Sequence, residues 1–311
     1  MVSVVHLIVA AFSAQYWKRK RDLRLAEPEL TTGQTMRRAL TAGGLFLAVL
    51  ALAACQTSGS NEQRADDQLN NPTADQKNNI ASISAVLAKN PRDANALNLR
   101  GTAFGQSGEY EKALADFSTA IQLNPQFYQA YNNRALIYLR VGRYDAAMSD
   151  YNQALAIKPD YAAAYVGRGN VYKEQRNFPM AIADFAKAIE LKPDDPTPYY
   201  SRGLIYQAMN DHRSALDDLT VAVNYRPDAA DPHYARGISY MAVQNYKKAF
   251  DDFQVAGTNK VNNYEAWASA GRAAEYLGDR AEAAQAYRKA LQINSSSEAA
   301  YQGLKRVGGD A

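Results

Sequence analysis

Arginine and aspartate recur at a constant interval along most of the chain, and both side chains could take part in ionic chemistry. Five arginines are 34 residues apart: Arg100, Arg134, Arg168, Arg202 and Arg236. Five aspartates each follow 16 residues later: Asp116, Asp150, Asp184, Asp218 and Asp252. One interval further on, both positions hold alanine, Ala270 and Ala286. An arginine ladder could bind acidic peptides or phosphates through paired hydrogen bonds. The joint presence and joint loss favour five structural ion pairs instead.

Cys55 is the only cysteine, so the chain can form no internal disulfide and no cysteine metal site. A basic start at residues 36–38, an apolar run over residues 39–52 and small residues before Cys55 are typical of a secretory signal peptide. The run Leu52-Ala53-Ala54-Cys55 resembles a bacterial lipobox, whose cysteine is acylated by fatty acids such as palmitate and becomes the new N-terminus. We predict a signal peptide over 36–54 and lipidation of Cys55. The alternative is a buried thiol in an apolar helix.

Residues 1–35 do not fit that signal peptide, because the apolar segment Met1 to Trp17 precedes a basic cluster, Lys18 to Arg21, rather than following it. The simplest expectation is that translation begins at Met36. The alternative is an additional membrane segment held by the basic cluster on the cytoplasmic side. After Cys55, residues 55–76 contain almost no large apolar residue, so we expect a flexible tether.

The sequence contains no pattern typical of an enzyme. The three histidines, His6, His212 and His233, are scattered, and we find no catalytic triad, phosphate-binding glycine loop or metal-ligand cluster. We therefore predict no catalysis, no cofactor and no metal site. Residues 1–54 carry seven basic and three acidic residues, so the remainder has 28 basic and 29 acidic residues. Without a basic excess, nucleic acid is not an expected partner.

The periodicity extends well beyond the charged residues. A small residue recurs six times at the same interval, in Gly101, Ala135, Gly169, Gly203, Gly237 and Gly271. An alanine does the same, in Ala113, Ala147, Ala181, Ala215, Ala249 and Ala283. A larger apolar residue follows each alanine by four positions, and prolines Pro125, Pro159, Pro193 and Pro227 close the first four units. This pattern, over about 230 of 311 residues, resembles the tetratricopeptide repeat (TPR).

The resemblance implies an all-α fold, a right-handed superhelix of about six helix hairpins with capping helices at both ends. Six units would occupy residues 94–297, beginning at Ala94, Tyr128, Ala162, Pro196, Ala230 and Tyr264. Residues 77–93 would form an N-terminal half-repeat and residues 298–311 a C-terminal cap and tail. In each unit we expect the first helix at positions 1–14 and the second at 15–28, with Gly108, Gly142 and Gly278 at the turn.

The fifth unit departs from the pattern. Gly257 replaces an apolar residue, and Val261 stands where proline would be. We expect the segment 257–260 to end its helix early and to alter the stacking of the sixth unit. The change marks a bend or a homodimer contact, or it reflects sequence drift alone.

The resemblance also implies that the first helices line a concave groove, at positions 2, 5, 9, 12 and 13 of each unit. The residues we predict to bind a partner there are Asn98, Asn132, Asn170, Tyr200, Gln207, Tyr234 and Met241. Amides can bond an extended peptide backbone, and Tyr and Met offer adaptable apolar contacts. The carboxylate clamp of chaperone-binding TPR proteins is missing, because position 5 holds Asn98, Asn132 and Val166 rather than lysine. An ordinary solvated inner face is the alternative.

The succession of signal peptide, lipidated cysteine, polar tether and repeats resembles bacterial TPR lipoproteins of the NlpI type. That resemblance implies an adaptor, lipid-anchored in the outer membrane and facing the periplasm, that binds proteins or extended peptides, among them cell-wall hydrolases and proteases. Gln56 follows the cysteine in place of the aspartate that retains many such lipoproteins in the inner membrane. The alternative is a structural assembly factor for secretion or polysaccharide export.

Overall fold

The structure is a computed structural model that describes residues 74–309, with side chains from residue 77 onward. Three predicted segments lie outside the described residues: the upstream segment 1–35, the signal peptide 36–54, and Cys55 with most of the tether. The last two residues of the predicted C-terminal tail also lie outside.

Residues 74–309 form fourteen α-helices and no strand. The helices are α1 Ala74–Lys89, α2 Ala94–Gln106, α3 Tyr110–Leu123, α4 Tyr128–Arg140, α5 Tyr144–Ile157, α6 Ala162–Glu174, α7 Phe178–Leu191, α8 Pro196–Ala208, α9 His212–Tyr225, α10 Ala230–Ala242, α11 Tyr246–Asn259, α12 Tyr264–Leu277, α13 Arg280–Ile293 and α14 Glu298–Arg306. Helices α2 to α13 pack as six hairpins, α1 packs on α2, and α14 packs on α12 and α13. The predicted all-α solenoid with a capping helix at each end is confirmed.

The first helices of the hairpins form the inner layer of the array. Each of α2, α4, α6 and α8 packs on the first helix of the following hairpin, whereas successive second helices do not pack on one another within residues 94–293. A layer whose members stand closer together lies on the inside of a curve. The first helices therefore line the concave face, as the resemblance implied.

Each hairpin is held together by small residues that accept a large side chain from the opposite helix. The alanines at position 20 are fully buried. At position 8, a Cβ added to Gly101, Gly169 or Gly237 would lie 2.7–2.8 Å from the phenylalanine ring at position 24 of the same repeat. Real Cβ atoms do not approach so closely, so the glycine makes room for the ring. The two helices pack closely because the ring occupies the space of a missing side chain.

A second close contact between a ring and a glycine joins neighbouring repeats. Tyrosine replaces phenylalanine or leucine at position 24 only in Tyr151 and Tyr287, and a glycine follows each of them by 16 residues, Gly167 and Gly303. A Cβ at either glycine would come within 2.2–2.3 Å of the tyrosine ring. The tyrosine hydroxyl end therefore reaches into the next unit, where only glycine leaves enough space. This pairing is visible in the sequence but was not anticipated from it.

The turns between paired helices lie slightly later than the sequence predicts. The second helices begin at position 17 and end at position 30, rather than spanning positions 15–28. Position 15 has a left-handed backbone in all six hairpins, including the expected Gly108, Gly142 and Gly278. Arg176, Asn210 and Gln244 adopt the same conformation, with φ of 58°, 60° and 61°. The turn is therefore imposed by the packing of the two helices even where the residue is not glycine.

The junction between the fifth and sixth hairpins differs from the others. Helix α11 packs along α12 as extensively as the two helices of one hairpin do, and α10 packs on α12 less than the earlier first helices pack on one another. The predicted early end of α11 is wrong, because the helix continues through Gly257 to Asn259. Glycine fits this place in the helix because a Cβ there would lie 2.7 Å from the indole of Trp267. The predicted change in stacking does occur, and the Trp267 Nε1 donates a 3.1 Å hydrogen bond to the Gly257 carbonyl.

Candidate functional site

The periodic arginines and aspartates form five ion pairs, one within each of the first five hairpins. In each pair the Nε and one terminal nitrogen of the guanidinium donate to the two carboxylate oxygens, over distances of 2.7–2.8 Å. The aspartates are buried and the arginines mostly so, for example Arg168 at 20% and Asp184 at 7% side-chain exposure. The predicted structural pairing is confirmed, and Ala270 and Ala286 are buried in the hairpin that lacks it.

The pairing leaves little of each guanidinium for an external anion. Hydrogen bonds that the arginines donate to the partner aspartates raise the pKa of all five arginines above its ordinary value, although burial opposes the charged form. A third nitrogen of Arg134 donates to Ser118 Oγ at 3.0 Å, and that of Arg168 donates to Asn152 Oδ1 at 2.7 Å. Both acceptors belong to the preceding repeat. The arginine ladder therefore stabilises hairpins and the junctions between them.

His233 joins the fifth ion pair. Its Nδ1 lies 2.8 Å from Asp252 Oδ1 and its Nε2 lies 2.9 Å from the Pro227 carbonyl. Both neighbours are hydrogen-bond acceptors, to which a ring nitrogen that carries a hydrogen can donate. Burial disfavours the ionised carboxylate of Asp252, but hydrogen bonds from Arg236 and His233 outweigh it and lower the pKa of Asp252. His233 occupies position 4, where most other repeats have an aromatic residue, and that substitution was a signal that sequence reasoning missed.

The first part of the predicted groove is lined by amides that bond one another. Asn133 donates to Asn98 Oδ1 at 3.0 Å, and Asn132 donates to Asn133 at 3.3 Å. The Oδ1 of Asn132 is buried and has no hydrogen-bond partner among the described residues. The predicted residues Asn98 and Asn132 are therefore brought together on the inner face by a residue, Asn133, that the sequence did not single out.

The middle of the groove contains the predicted residues Asn170, Tyr200 and Gln207, all of them partly buried. Gln207 Nε2 donates to the Ala235 carbonyl at 2.6 Å and to Ser239 Oγ at 2.8 Å, so its amide nitrogen joins two repeats. Burial raises the pKa of the Tyr200 hydroxyl above its ordinary value. Tyr200 lines a separate cavity of about 310 Å³ with the Asp231–Lys260 ion pair.

The last part of the groove opens into a cleft between α10 and α12. Its cavity measures about 460 Å³ and is lined by Ile238, Met241, Ala242, Gln244, Tyr246, Phe253, Ser269, Arg272 and Tyr276. The predicted residue Met241 therefore lies in the cleft. Tyr234 does not line it: it is half-buried, and its ring packs 5.6 Å from that of Phe253. Tyr246 and Tyr276 stack across the junction, with ring centroids 4.6 Å apart.

A second, more polar cavity continues from the first along α12 and α14. It measures about 720 Å³ and shares Ser269, Arg272 and Tyr276 with the apolar cavity. Its far side carries Glu275, which accepts hydrogen bonds from Tyr287 at 2.7 Å and from Arg306 at 3.0 Å. Together the two cavities form one cleft with an apolar half and a polar half, and Arg272 lies between them.

The described part of the chain contains neither a cluster of metal ligands nor a helix that could cross a membrane. No group of three or more His, Cys, Asp or Glu side chains within residues 77–309 is placed to hold a metal ion. None of the helices α1 to α14 combines the length and the apolar character needed to cross a membrane.

The sequence matches models of the tetratricopeptide repeat over much of the same region. One repeat model matches residues 80–126 and 99–162, a second matches 169–210 and a third matches 264–297. Comparison with curated proteins gave no match.

Similar solved structures share the fold at low sequence identity. They include the APC/C hetero-tetramer Cut9–Hcn1 (TM-score 0.62, 18% identity, 75% of this chain and 46% of that chain). They also include YrrB, a TPR protein (0.53, 24%, 61% and 97%), and pilF of Pseudomonas aeruginosa (0.61, 17%, 68% and 97%). The chain thus spans less than half of the Cut9–Hcn1 chain that it matches. The repeat models, the pairing of the helices and the 34-residue period all indicate the same family. The chain belongs to the tetratricopeptide-repeat proteins.

Proposed function

We propose that the chain is a scaffold that binds other proteins, or extended segments of them, through the concave face of its repeats. The supporting observation is that this concave face contains a cleft in which Ile238, 39% exposed, and Tyr276, 53% exposed, line a cavity of about 460 Å³, while Leu136 is 48% exposed further along the groove. Concave sites with apolar linings are where ligands usually bind. YrrB, which has the same fold, is described as having an unusual peptide-binding site.

A binding role rather than a catalytic one fits the use of the ionisable residues. The aspartates and arginines with fixed geometry are engaged with each other inside the hairpins, and His233 is engaged with one of these pairs. These side chains therefore stabilise the scaffold through their ion pairs. TPR proteins in general serve as scaffolds, and we extend that role to this chain.

We further propose that the scaffold is anchored by lipid on Cys55 in the outer membrane, faces the periplasm and recruits envelope enzymes such as cell-wall hydrolases or proteases. The support is the order of segments in the sequence: basic start, apolar run, Leu52-Ala53-Ala54-Cys55 and a polar tether. This architecture resembles the NlpI type of lipoprotein. A homodimer through the irregular fifth repeat remains part of the proposal.

The anchor is tested by the mass of the mature protein extracted from cell membranes. The expected mass corresponds to a chain beginning at Cys55 and carrying fatty acids, and Cys55→Ser should leave the protein unlipidated and released from the membrane fraction. Separation of inner from outer membranes on a density gradient tests the location. A mature protein that retains residues before Met36 would contradict the proposed processing.

The binding face is tested by photo-cross-linking in cells. A photoreactive phenylalanine replaces Leu136, Ile238 or Tyr276 on the first helices, and Met180 or Tyr225 on the second helices serve as equally exposed controls. We expect cross-linked proteins from the first three positions and few from the controls. Cross-linking from the controls alone, or from no position, would contradict the proposed binding face.

The alternative of an assembly factor is kept because of one structural neighbour. PilW, described as a widely conserved type IV pilus biogenesis factor, aligns with a TM-score of 0.59 and 21% identity, over 69% of this chain and 97% of PilW. At this identity the likeness concerns the fold alone. Mass spectrometry of the cross-linked proteins separates the alternatives: hydrolases or proteases favour the adaptor, and secretion or export components favour the assembly factor.

A further inference from the structure

We propose that the cleft between α10 and α12 is the specificity site of the groove. We infer that it binds an internal, extended segment of a partner protein that carries a bulky apolar side chain and, a few residues away, an acidic side chain. This inference rests on the proposed function, because it names the partner chemistry for the same concave face.

The cleft exists because the inner layer is interrupted at this one place. At the four preceding junctions, successive first helices pack on each other and close the inner face. Between the fifth and sixth repeats α11 packs along α12 instead, with Trp267 seated on Gly257. The first helices α10 and α12 therefore pack less closely, and a cavity opens between them.

The apolar half of the cleft has the size and lining of a side-chain pocket. Phe253 forms its base and is 1% exposed, while Ile238 and Met241 line it from α10. The stacked rings of Tyr246 and Tyr276 also line it. A volume of about 460 Å³ falls in the ordinary range of ligand pockets, and methionine adapts to differently shaped apolar groups. A leucine, methionine or phenylalanine side chain of the partner fits this description.

Charge complementarity identifies the second feature of the partner. Arg272 is exposed and, within the described part of the chain, has no hydrogen bond or ion pair in the structure. The five ladder arginines are all satisfied by aspartate, so Arg272 differs from them in offering a free guanidinium. Carboxylates bind this group through two parallel hydrogen bonds. Arg272 borders the apolar cavity, which places the acidic residue of the partner near its apolar anchor.

An internal segment fits the cleft better than a chain end. Beyond Arg272 the cleft continues into the polar half, where the Glu275–Arg306 ion pair, Glu298 and Gln302 leave a cavity of about 720 Å³. The partner chain therefore has room to continue past Arg272. Glu275 and Glu298 would also repel a terminal carboxylate placed further along. We accordingly assign the carboxylate to an aspartate or glutamate side chain.

The test starts from a display library of random twelve-residue segments, flanked by constant sequence on both sides so that no free carboxyl terminus is present. Selection uses the purified full chain in detergent. We expect enriched segments to combine a large apolar residue with an aspartate or glutamate within a few positions. Fluorescence anisotropy with the enriched segments, synthesised with amidated ends, then measures the affinity for each variant.

The decisive variants are Arg272→Glu and Met241→Glu, with Arg213→Glu as the control. Arg213 is an exposed arginine on the second helix α9, outside the concave face. Each cleft variant should weaken binding about tenfold or more, the effect of roughly 1.4 kcal/mol, whereas Arg213→Glu should leave affinity unchanged. Replacing the acidic residue of the segment by lysine should abolish binding to the wild type and restore it to Arg272→Glu. Circular dichroism of each variant reports whether the helices are intact.

The outcomes separate this inference from the proposed function. Segments that bind equally well to wild type, Arg272→Glu and Met241→Glu would overturn the cleft assignment and leave a peptide-binding groove. The same conclusion would follow if the segments blocked cross-linking only from Leu136. Enriched segments without acidic residues would overturn the charge assignment. A library that yields no binder would count against both the cleft and the proposed function. Restoration by the lysine-bearing segment supports the cleft directly.

Discussion

The single junction between the fifth and sixth repeats differs from the four junctions before it. All five join the two helices of one repeat to the two helices of the next, but the helices pack in different arrangements. At the regular junctions the first helices pack side by side, and an arginine of one repeat can donate a hydrogen bond to the preceding one. At the last junction the sixth hairpin has no Arg–Asp pair, and α11 packs along α12 instead. The regular junctions close the groove surface, and the irregular one opens a cleft in it.

One small residue accounts for much of this difference. Position 28 is occupied by a branched apolar residue in the other repeats, namely Ile121, Leu155, Ile189, Val223 and Leu291. In the fifth repeat it is Gly257, and the indole of Trp267 occupies the vacated space. The following loop also has a left-handed residue, Asn262, with φ of 65°. In a solenoid each repeat contacts only its neighbours, so a local change reorients everything that follows it.

The largest effect is expected from breaking an ion pair in the regular region. Asp184→Ala leaves Arg168 partly buried without its counter-charge and should lower the free energy of unfolding by about 3–5 kcal/mol. Chemical denaturation of the full chain measures this. Asp160→Ala, which removes an exposed pair with Lys158, should change stability little. Equal stability of Asp184→Ala and wild type would show that the pairs are not structural.

The fifth pair should make the stability of its repeat depend on pH. Because the pKa of Asp252 is lowered in the folded state, its contribution is complete above the unfolded carboxyl value of about 3.9 and is lost as pH falls through the folded value. Asp252→Asn should therefore destabilise most at neutral pH, though less than an alanine would, since the amide oxygen still accepts a hydrogen bond. The difference from wild type should shrink in acid.

Thermal unfolding at a series of pH values measures that difference. Asp251→Asn, an exposed neighbour paired with Lys247, controls for the loss of one negative charge. A gap between Asp252→Asn and wild type that stays constant down to acid pH would contradict the stabilising role of the ionised carboxylate.

A matched pair of glycine substitutions separates the two kinds of junction. Gly257→Ala places a Cβ 2.7 Å from the Trp267 ring, and Gly203→Ala places one 2.8 Å from Leu219 inside a regular hairpin. Each overlap should cost about 1–3 kcal/mol. Only Gly257→Ala should also alter the cleft and weaken the binding of the selected segments. If both variants changed binding equally, the cleft would not depend on the irregular junction.

The smallest effect concerns the hydrogen bond between neighbouring repeats. Ser118→Ala removes the acceptor of Arg134 and should cost about 0.5–1.5 kcal/mol in equilibrium unfolding. The junction between the third and fourth repeats provides the reverse experiment, because Ala186 of the third repeat stands at the equivalent position before Arg202 of the fourth. Ala186→Ser should restore such a contact and stabilise by a similar amount. If Ser118→Ala and Ala186→Ser changed the free energy of unfolding in the same direction, this contact would not be significant.

The regular part of the fold could be predicted because its contacts repeat. The pairing of Arg134 with Asp150 follows from one interval that occurs five times, and the turn glycines follow from the same comparison. The irregular parts could not be predicted in this way. Glycine disfavours helix by itself, so the continuation of α11 through Gly257 depends on Trp267, a tertiary contact with no counterpart in other repeats. The contact between His233 and Asp252 likewise occurs once within the described repeats.

The candidate site shows the same division. Periodicity predicts Met241 on the inner face, because every first helix presents the same positions there, and Met241 lines the cleft. It could not distinguish Met241 in an open cleft from Gln207, whose amide bonds the next repeat, because both occupy the same position of the repeat. The separation of α10 from α12 decides between these environments, and it is a property of the packing of whole helices.

The left-handed turns have a consequence for how such an array can change over generations. Arg176 and Gln244 hold a backbone conformation that is unfavourable for residues with a Cβ, by roughly 1–2 kcal/mol. Because the surrounding helices enforce the turn, these positions accept side chains that a free peptide would reject. The rim of the solenoid is thus free to diversify at a modest cost in stability. New charges and shapes can appear there while the buried alanines and rings preserve the architecture.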